Sequence, residues 1–176
     1  MFGTPLEALA GQLLLGIVNG AFYAILSLGL ALIFGMLNVI NFAHGAMYMM
    51  GAFAAWGGLV YFGLSYWTML VLGPLLVAAF AMLVERSMLR LLYSLDHIYG
   101  LLLTFGITLL LEGVFRSFFG VSGQPYQVPA GLSGASNLGV LTLPNYRIWV
   151  VAVSLAVCLL TWFIVERTKL GSYLRA

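Results

Sequence analysis

From Ala8 to Val84 the chain carries no Asp, Glu, Lys or Arg. A membrane-crossing helix needs about 20 predominantly apolar residues, so this run has room for three. The first apolar stretch runs from about Leu9 to Phe34. Within it the small residues Gly16, Gly20, Ala24, Ser27, Ala31 and Gly35 recur at helical spacing. At about 100° per residue they fall on one face, where another helix can approach closely in lipid. Leu37 to Phe42 interrupts the pattern with Asn38, Asn41 and two β-branched residues, which predicts a break. A new helix is expected from about Ala43 to Tyr61. Gly63 to Trp67 reads as a short turn, and Met69 to Val84 as the third span, with Gly73-Pro74 in its first turns. Ile98 to Phe119 and Arg147 to Val165 are two further apolar runs. The pattern thus predicts an all-α, polytopic membrane protein of about five transmembrane helices, with a break near Gly35–Gly45. Between the last two runs lies a loop, 120–146, rich in Gly, Ser, Pro and Asn, with a short hairpin around Val140 to Leu143.

Composition sharpens this picture. Hydrophobic residues make up 63% of the 176-residue chain and charged residues 7%, and the mean hydropathy is +1.09. A soluble domain carries about a quarter charged residues, so this chain cannot cover a soluble surface. Several apolar runs follow one another, which excludes a lone signal peptide. A net charge of +2 gives no reason to expect nucleic acid. The single cysteine, Cys158, sits in mid-span and reads as a small apolar filler. Orientation follows from Lys and Arg. Arg86 and Arg90 lie in the charged segment Glu85 to His97, which reads as one loop, and Arg167, Lys169 and Arg175 in the basic tail ERTKLGSYLRA. Two spans separate these segments, so both can be cytoplasmic. Loop 120–146 is then external, as is the N-terminus.

The polar residues inside this apolar chain are the candidates for function. Asn38, Asn41 and His44 gather in GMLNVINFAHGAMYMMG, Gly35 to Gly51. Broken helices in membranes are tolerated where the freed backbone lines a cavity or is covered by protein, and in transporters they mark the substrate region. The plainer alternative is a tight turn at the cytoplasmic interface, with Asn41 capping the next helix. Asn19 reads either as interhelical glue or as a polar group on a path. Thr104 and Glu112 are polar residues within the fourth span. Glu112 and Arg116 stand at i,i+4 with the acid first, which suits an ion pair near the outer interface. A second reading places Glu112 on a translocation route. A pore passing zwitterions needs polar groups, and Asn19, Asn38, Asn41, His44, Thr104 and Glu112 are the substrate-path candidates.

Enzyme chemistry finds little support. The one lysine, Lys169, rules out a P-loop, so any pumping draws on another subunit or an ion gradient. Gly120–Gly123 and Gly131–Gly134 both match the G-x-S-G of rhomboid intramembrane proteases. Both copies sit in a loop, and His44 and His97 precede them, the wrong order for that mechanism. Neither histidine has a partner at metal-ligand spacing, so neither a metal site nor a catalytic residue is expected, and no cofactor. A passive channel or a structural membrane subunit remains an alternative, although the chain has no clear internal repeat.

The run NGAFYAILSLGLALIFGMLNVINFAHGAMYMMGAF, Asn19 to Phe53, closely resembles the first part of the high-affinity branched-chain amino acid ABC transporter permeases. ERSMLRLL from Glu85, TFGITLLLEGVFRSFFG from Thr104 and the closing ERTKLGSYLRA resemble later segments of that family. The resemblance implies a single transmembrane permease domain over residues 1–176 in the bacterial inner membrane. It further implies a second homologous permease, two cytoplasmic ATPase subunits and a periplasmic substrate-binding protein facing loop 120–146. It assigns Asn38, Asn41, Phe42, His44 and Gly45 to the family signature, where packing is as good a role as substrate contact. Many relatives carry an acidic residue after the His–Gly pair, where this chain has Ala46, so no carboxylate role carries over. The family continues beyond Ala176 with a coupling stretch and further spans, so the resemblance implies a fragment or a split gene. Branched-chain or other neutral amino acids are the expected substrates. Related permeases carry urea and short amides, an alternative that no residue here separates.

Overall fold

Apolar residues at nearly every position keep the charge-free run helical, and the helices end where glycines and capping side chains appear. The computed structural model describes residues 5–37, 41–137, 142–169 and 171. Helix α1 covers Pro5–Leu37, α2 His44–Phe62, α3 Tyr66–Val84, α4 Arg90–Leu92, α5 His97–Phe119 and α6 Asn145–Arg167. The expected break shows at residues 41–43, its residues 38–40 lying outside the described residues, and the loop after Phe119 and the long helices on either side are present. Among the described residues, four stretches are long and apolar enough to cross a membrane: Ala8–Gly35, Tyr66–Leu92, His97–Phe119 and Asn145–Arg167. Helix α2, 19 residues, has the length, about 28 Å at 1.5 Å per residue. Its glycines, tyrosines and His44 leave it less apolar than those four.

The chain divides into two units, Ile33–Gln127 and Met1–Leu32 with Val128–Ala176. In the first, α2 and α3 form an antiparallel pair. Gly63 ends α2 in the left-handed region (φ 63°), and the N–H groups of Gly63 and Leu64 return to Leu59 O and Gly58 O at 3.1 and 3.0 Å. This closure needs a residue without Cβ strain at position 63. Ser65 then caps α3, its Oγ accepting from Thr68 N–H at 3.3 Å.

Three glycines carry the α2–α3 contact. Gly51 O faces Gly73, and a Cβ on Gly51 would meet Val77 Cγ2 at 3.3 Å. A Cβ on Gly58 would run into the side chain of buried Met69. Gly58→Ala gains about 1 kcal/mol of helix propensity but meets an overpacking cost of about 1–3 kcal/mol. Gly57→Ala gains the same propensity against only an ordinary 3.7 Å contact with Tyr61. Thermal unfolding in detergent should therefore show Gly57→Ala raising the midpoint and Gly58→Ala lowering it. A rise in both would mean that the Met69 contact is slack.

The charged segment after Val84 is not the loop expected from its composition. Helix continues through a π turn, Glu85–Leu89, into α4. Glu85, Arg86 and Arg90 thus ride on the helix that continues α3 beyond its C-terminal end. Long charged side chains reach polar surroundings from a helix terminus, so charge there does not end the helix. The actual turn is Tyr93–Asp96, closed by Asp96 Oδ1 accepting from Ile98 N–H at 3.1 Å. Pro74, expected in the first turns of its helix, lies inside α3.

In the second unit, Ser154 on α6 donates to Ala21 O on α1 at 2.7 Å, beside buried Val18. A 3-10 turn, Ala130–Leu132, leads to a two-stranded hairpin, β1 Ala135–Asn137 and β2 Thr142–Pro144, paired antiparallel with Ser136 opposite Leu143. The expected hairpin exists, although residues 138–141 lie outside the described residues. Asn145 ties it to α6: its N–H donates to Gly134 O at 3.0 Å, and its Oδ1 accepts from Ser136 Oγ at 2.6 Å. Helix α6 therefore starts at Asn145, two residues earlier than apolarity alone suggests.

Candidate functional site

The break is fastened by its own polar residues. Asn41 Oδ1 accepts from Ala43 N–H at 2.9 Å, an Asx turn that leads the chain into α2. Phe42 N–H donates to Thr104 Oγ1 on α5 at 3.2 Å, a contact across 62 residues. Thr104 is 1% exposed, and its hydroxyl donates in turn to Leu101 O at 3.0 Å. Ala43 is fully buried and packs with Val84, Leu89 and Ile107, flanked by Met47 and Phe80. Phe42 turns outward, its ring edge-on to Phe105 at 6.3 Å between centroids.

This geometry bears on the two readings of the break. Thr104 lies seven residues into α5, about 10 Å along the helix from its first residue. The break is thus level with the interior of α5 rather than with its end, and α3 runs on past it to the π turn and α4. Exposed backbone at that level needs cover, and Thr104 with the Ala43 cluster supplies it.

Of the substrate-path candidates, Asn41 and Thr104 meet through Phe42. His44 opens α2 and is half-buried. Asn38 lies outside the described residues. Asn19 is exposed on α1, in the other unit, and Glu112 is exposed on α5. Gly16, Gly20, Ala24, Ser27, Ala31 and Gly35 all lie on the exposed side of α1, away from the Val18 and Ala21 contact with α6. Ala46 is buried, so this chain seats a methyl group at that point of the signature.

Asn41→Leu removes the Asx acceptor while leaving the apolar character of the segment. Ala43, not Asn41, is the N-cap of α2 and no side chain caps it, so the substitution removes one hydrogen bond within the turn, a loss of about 1 kcal/mol. The thermal midpoint in detergent should fall with membrane insertion intact, and an unchanged midpoint would mean that the Asx turn does not hold the break.

The other end of α2 and α5 carries features that the sequence pattern did not bring together. Phe53 stacks within 4.7 Å of both Phe115 and Phe119, and Trp56 meets Phe119 at 5.5 Å. Aromatic side chains at this level are what a membrane–water boundary favours. Gln124 Nε2 donates to Phe119 O at 3.2 Å, satisfying a carbonyl at the α5 terminus. Trp56, Leu59 and Val60 with Gln124, Pro125 and Gln127 enclose an open cleft of about 460 Å³. Burial and the neighbouring Tyr66 raise the Tyr126 phenol above its usual 10.0, so it remains a neutral partner in the ring contact with Tyr66. At the opposite end, burial and the Glu85 carboxylate likewise raise Tyr93, whose hydroxyl donates to Glu85 Oε1 at 3.3 Å.

The sequence profile described as branched-chain amino acid transport system, permease component, matches residues 12–176. The high-affinity branched-chain amino acid transport system permease protein BraD of Pseudomonas aeruginosa is 24% identical over 94% of this chain. The corresponding LivH proteins of Salmonella typhimurium and Escherichia coli K12 are each 26% identical over 94% of it. The chain spans 57% of the length of these relatives. No solved structure matches. Its apolar helices and these relatives place it in the bacterial inner membrane as a multi-pass protein. A profile match over nearly the whole chain, on helices interrupted at the signature, makes it a member of the branched-chain amino acid transport system permease family.

Proposed function

We propose that the chain is a permease subunit of an ABC importer that moves branched-chain or other neutral amino acids into the cytoplasm. The family match over residues 12–176 carries this reading. All 176 residues belong to one transmembrane permease domain. The energy comes from two separate cytoplasmic ATPase subunits, a second homologous permease completes the pore, and a periplasmic binding protein delivers the substrate. The exposed small-residue face of α1 suits the approach of a further membrane helix, because small side chains let backbones come close in lipid. The polar groups that a zwitterion's passage requires are few, and the pinned break supplies the densest group of them.

The test is ATP-driven uptake of labelled leucine into proteoliposomes holding the complete gene product with its ATPases, second permease and binding protein. Uptake that needs ATP and is competed by isoleucine and valine is the expected result. Stable assembly without leucine uptake would redirect the substrate to urea, a short amide or another amino acid. Failure to assemble with the ATPases would sink the importer reading and favour a channel or structural subunit.

A further inference from the structure

From Phe105 onward, one of the exposed faces of α5 combines apolar and charged residues. Phe105, Leu109, Glu112 and Arg116 follow at spacings of four, three and four, which puts them within about 60° of one another. Phe105 is 47% and Leu109 55% exposed, and Glu112 and Arg116 are exposed as well. The face begins at the break, where Phe105 meets the ring of Phe42. It ends near the outer loop. Glu112 stands seven residues, about 10 Å, before the end of α5, and Arg116 three residues before it. An ionised carboxylate at that depth is costly against lipid and faces protein or water instead. Among the described residues neither Glu112 nor Arg116 closes an ion pair.

We infer that this face lines the substrate path and that Glu112 and Arg116 read the two charges of an amino acid zwitterion. The inference rests on the importer reading above and adds the residues that recognise the substrate. A zwitterion carries an ammonium and a carboxylate on one carbon. Glu112 offers an acceptor for the ammonium. Arg116, about one helical turn further out, offers a planar fork of donors that matches a carboxylate. Both charges are then satisfied without a net charge in the path. Leu109, Phe105 and Phe42 continue inward as an apolar track for the aliphatic side chain, towards the break. A substrate lacking either charge leaves one of the two protein charges unpaired, which is how a polar site rejects an analogue.

Cysteine accessibility tests this in the complete transporter. In a Cys158→Ala background, Glu112→Cys and Arg116→Cys are compared with Leu110→Cys, a position 68% exposed on a different face of α5. A membrane-impermeant thiol reagent added from outside should modify positions 112 and 116 and leave position 110 unmodified. Leucine with its binding protein should slow the first two reactions. Glu112→Gln and Arg116→Gln should each lower leucine uptake about tenfold or more, the loss of one charge-assisted hydrogen bond, with assembly of the complex unchanged. Leucine uptake by the unsubstituted complex is measured in the same vesicles, so failure of the importer reading shows there. With that uptake present, position 112 no more reactive than position 110 means a helix or lipid covers the face, and the inference is wrong. Reactivity that leucine does not slow, or full uptake in both glutamine variants, overturns it equally.

Discussion

On the importer reading, Thr104→Val should cost most of the uptake while the chain still inserts. Valine matches threonine in shape, so the packing around position 104 survives. What is lost is the acceptor for Phe42 N–H, the hydrogen bond that seats the break on α5. A buried donor left unmade costs about 1–3 kcal/mol, more than the net worth of the bond itself. The Leu101 carbonyl loses little, because a helical carbonyl already has its backbone partner. Displacement of the break changes the face presented by Phe42, Asn41 and the start of α2 together. Thr104→Ser keeps the hydroxyl and should restore most of the uptake. It also removes one methyl group, at a cost of about 0.5–1.5 kcal/mol by analogy with Ile→Val. Transport rate and thermal midpoint in detergent, measured for both variants, separate the two roles. If Thr104→Ser fails as badly as Thr104→Val, the methyl contact matters and the hydrogen bond does not.

The same residue shows where the sequence ran out. Thr104 was legible as a polar group within an apolar helix, and that placed it among the path candidates. Its partner was not legible, because Phe42 is 62 residues away and nothing in local spacing points there. The hydroxyl that looked available to a substrate is taken up by protein. Helix number, the break and the loop after Phe119 were readable because each follows from local physics: apolar length, amides in sequence, and turn-forming residues. The C-terminal end of α3 was misjudged for the converse reason. Charged residues at 85, 86 and 90 look like a loop by composition, yet a helix end at a membrane surface is a good place for them. The contact glycines were hidden differently. The small residues of α1 have the more regular spacing, yet they lie exposed. Gly51, Gly58 and Gly73 lack such a stripe and make the close contact between α2 and α3. Spacing shows that a helix can approach; it does not show which one does. The hairpin needed only its turn chemistry to be seen, but its link to α6 through Ser136 and Asn145 depends on side chains brought together by folding.

Ala43→Leu is the second large effect expected, and it acts on the other fastening of the break. Ala43 has no exposed surface, and its methyl group sits among Val84, Leu89 and Ile107. These neighbours come from two helices: Val84 and Leu89 from the end of α3 and the π turn that continues it, and Ile107 from α5. None can withdraw alone without disturbing the rest, so three added heavy atoms must lift the break off its seat. Overpacking of this kind costs about 1–3 kcal/mol. The Phe42–Thr104 hydrogen bond would stretch at the same time, so the two losses couple and their sum is not additive. Loss of uptake together with a lower midpoint is therefore expected for Ala43→Leu, whereas Ala43→Ser should be tolerated if its hydroxyl bonds to a nearby backbone carbonyl. The double variant Ala43→Leu with Thr104→Val decides whether the fastenings act together. A stability loss smaller than the sum of the singles means that each substitution already releases the same element. A loss equal to the sum would mean that the cluster and the hydrogen bond hold different parts of the chain, and that the break is not a single seated unit.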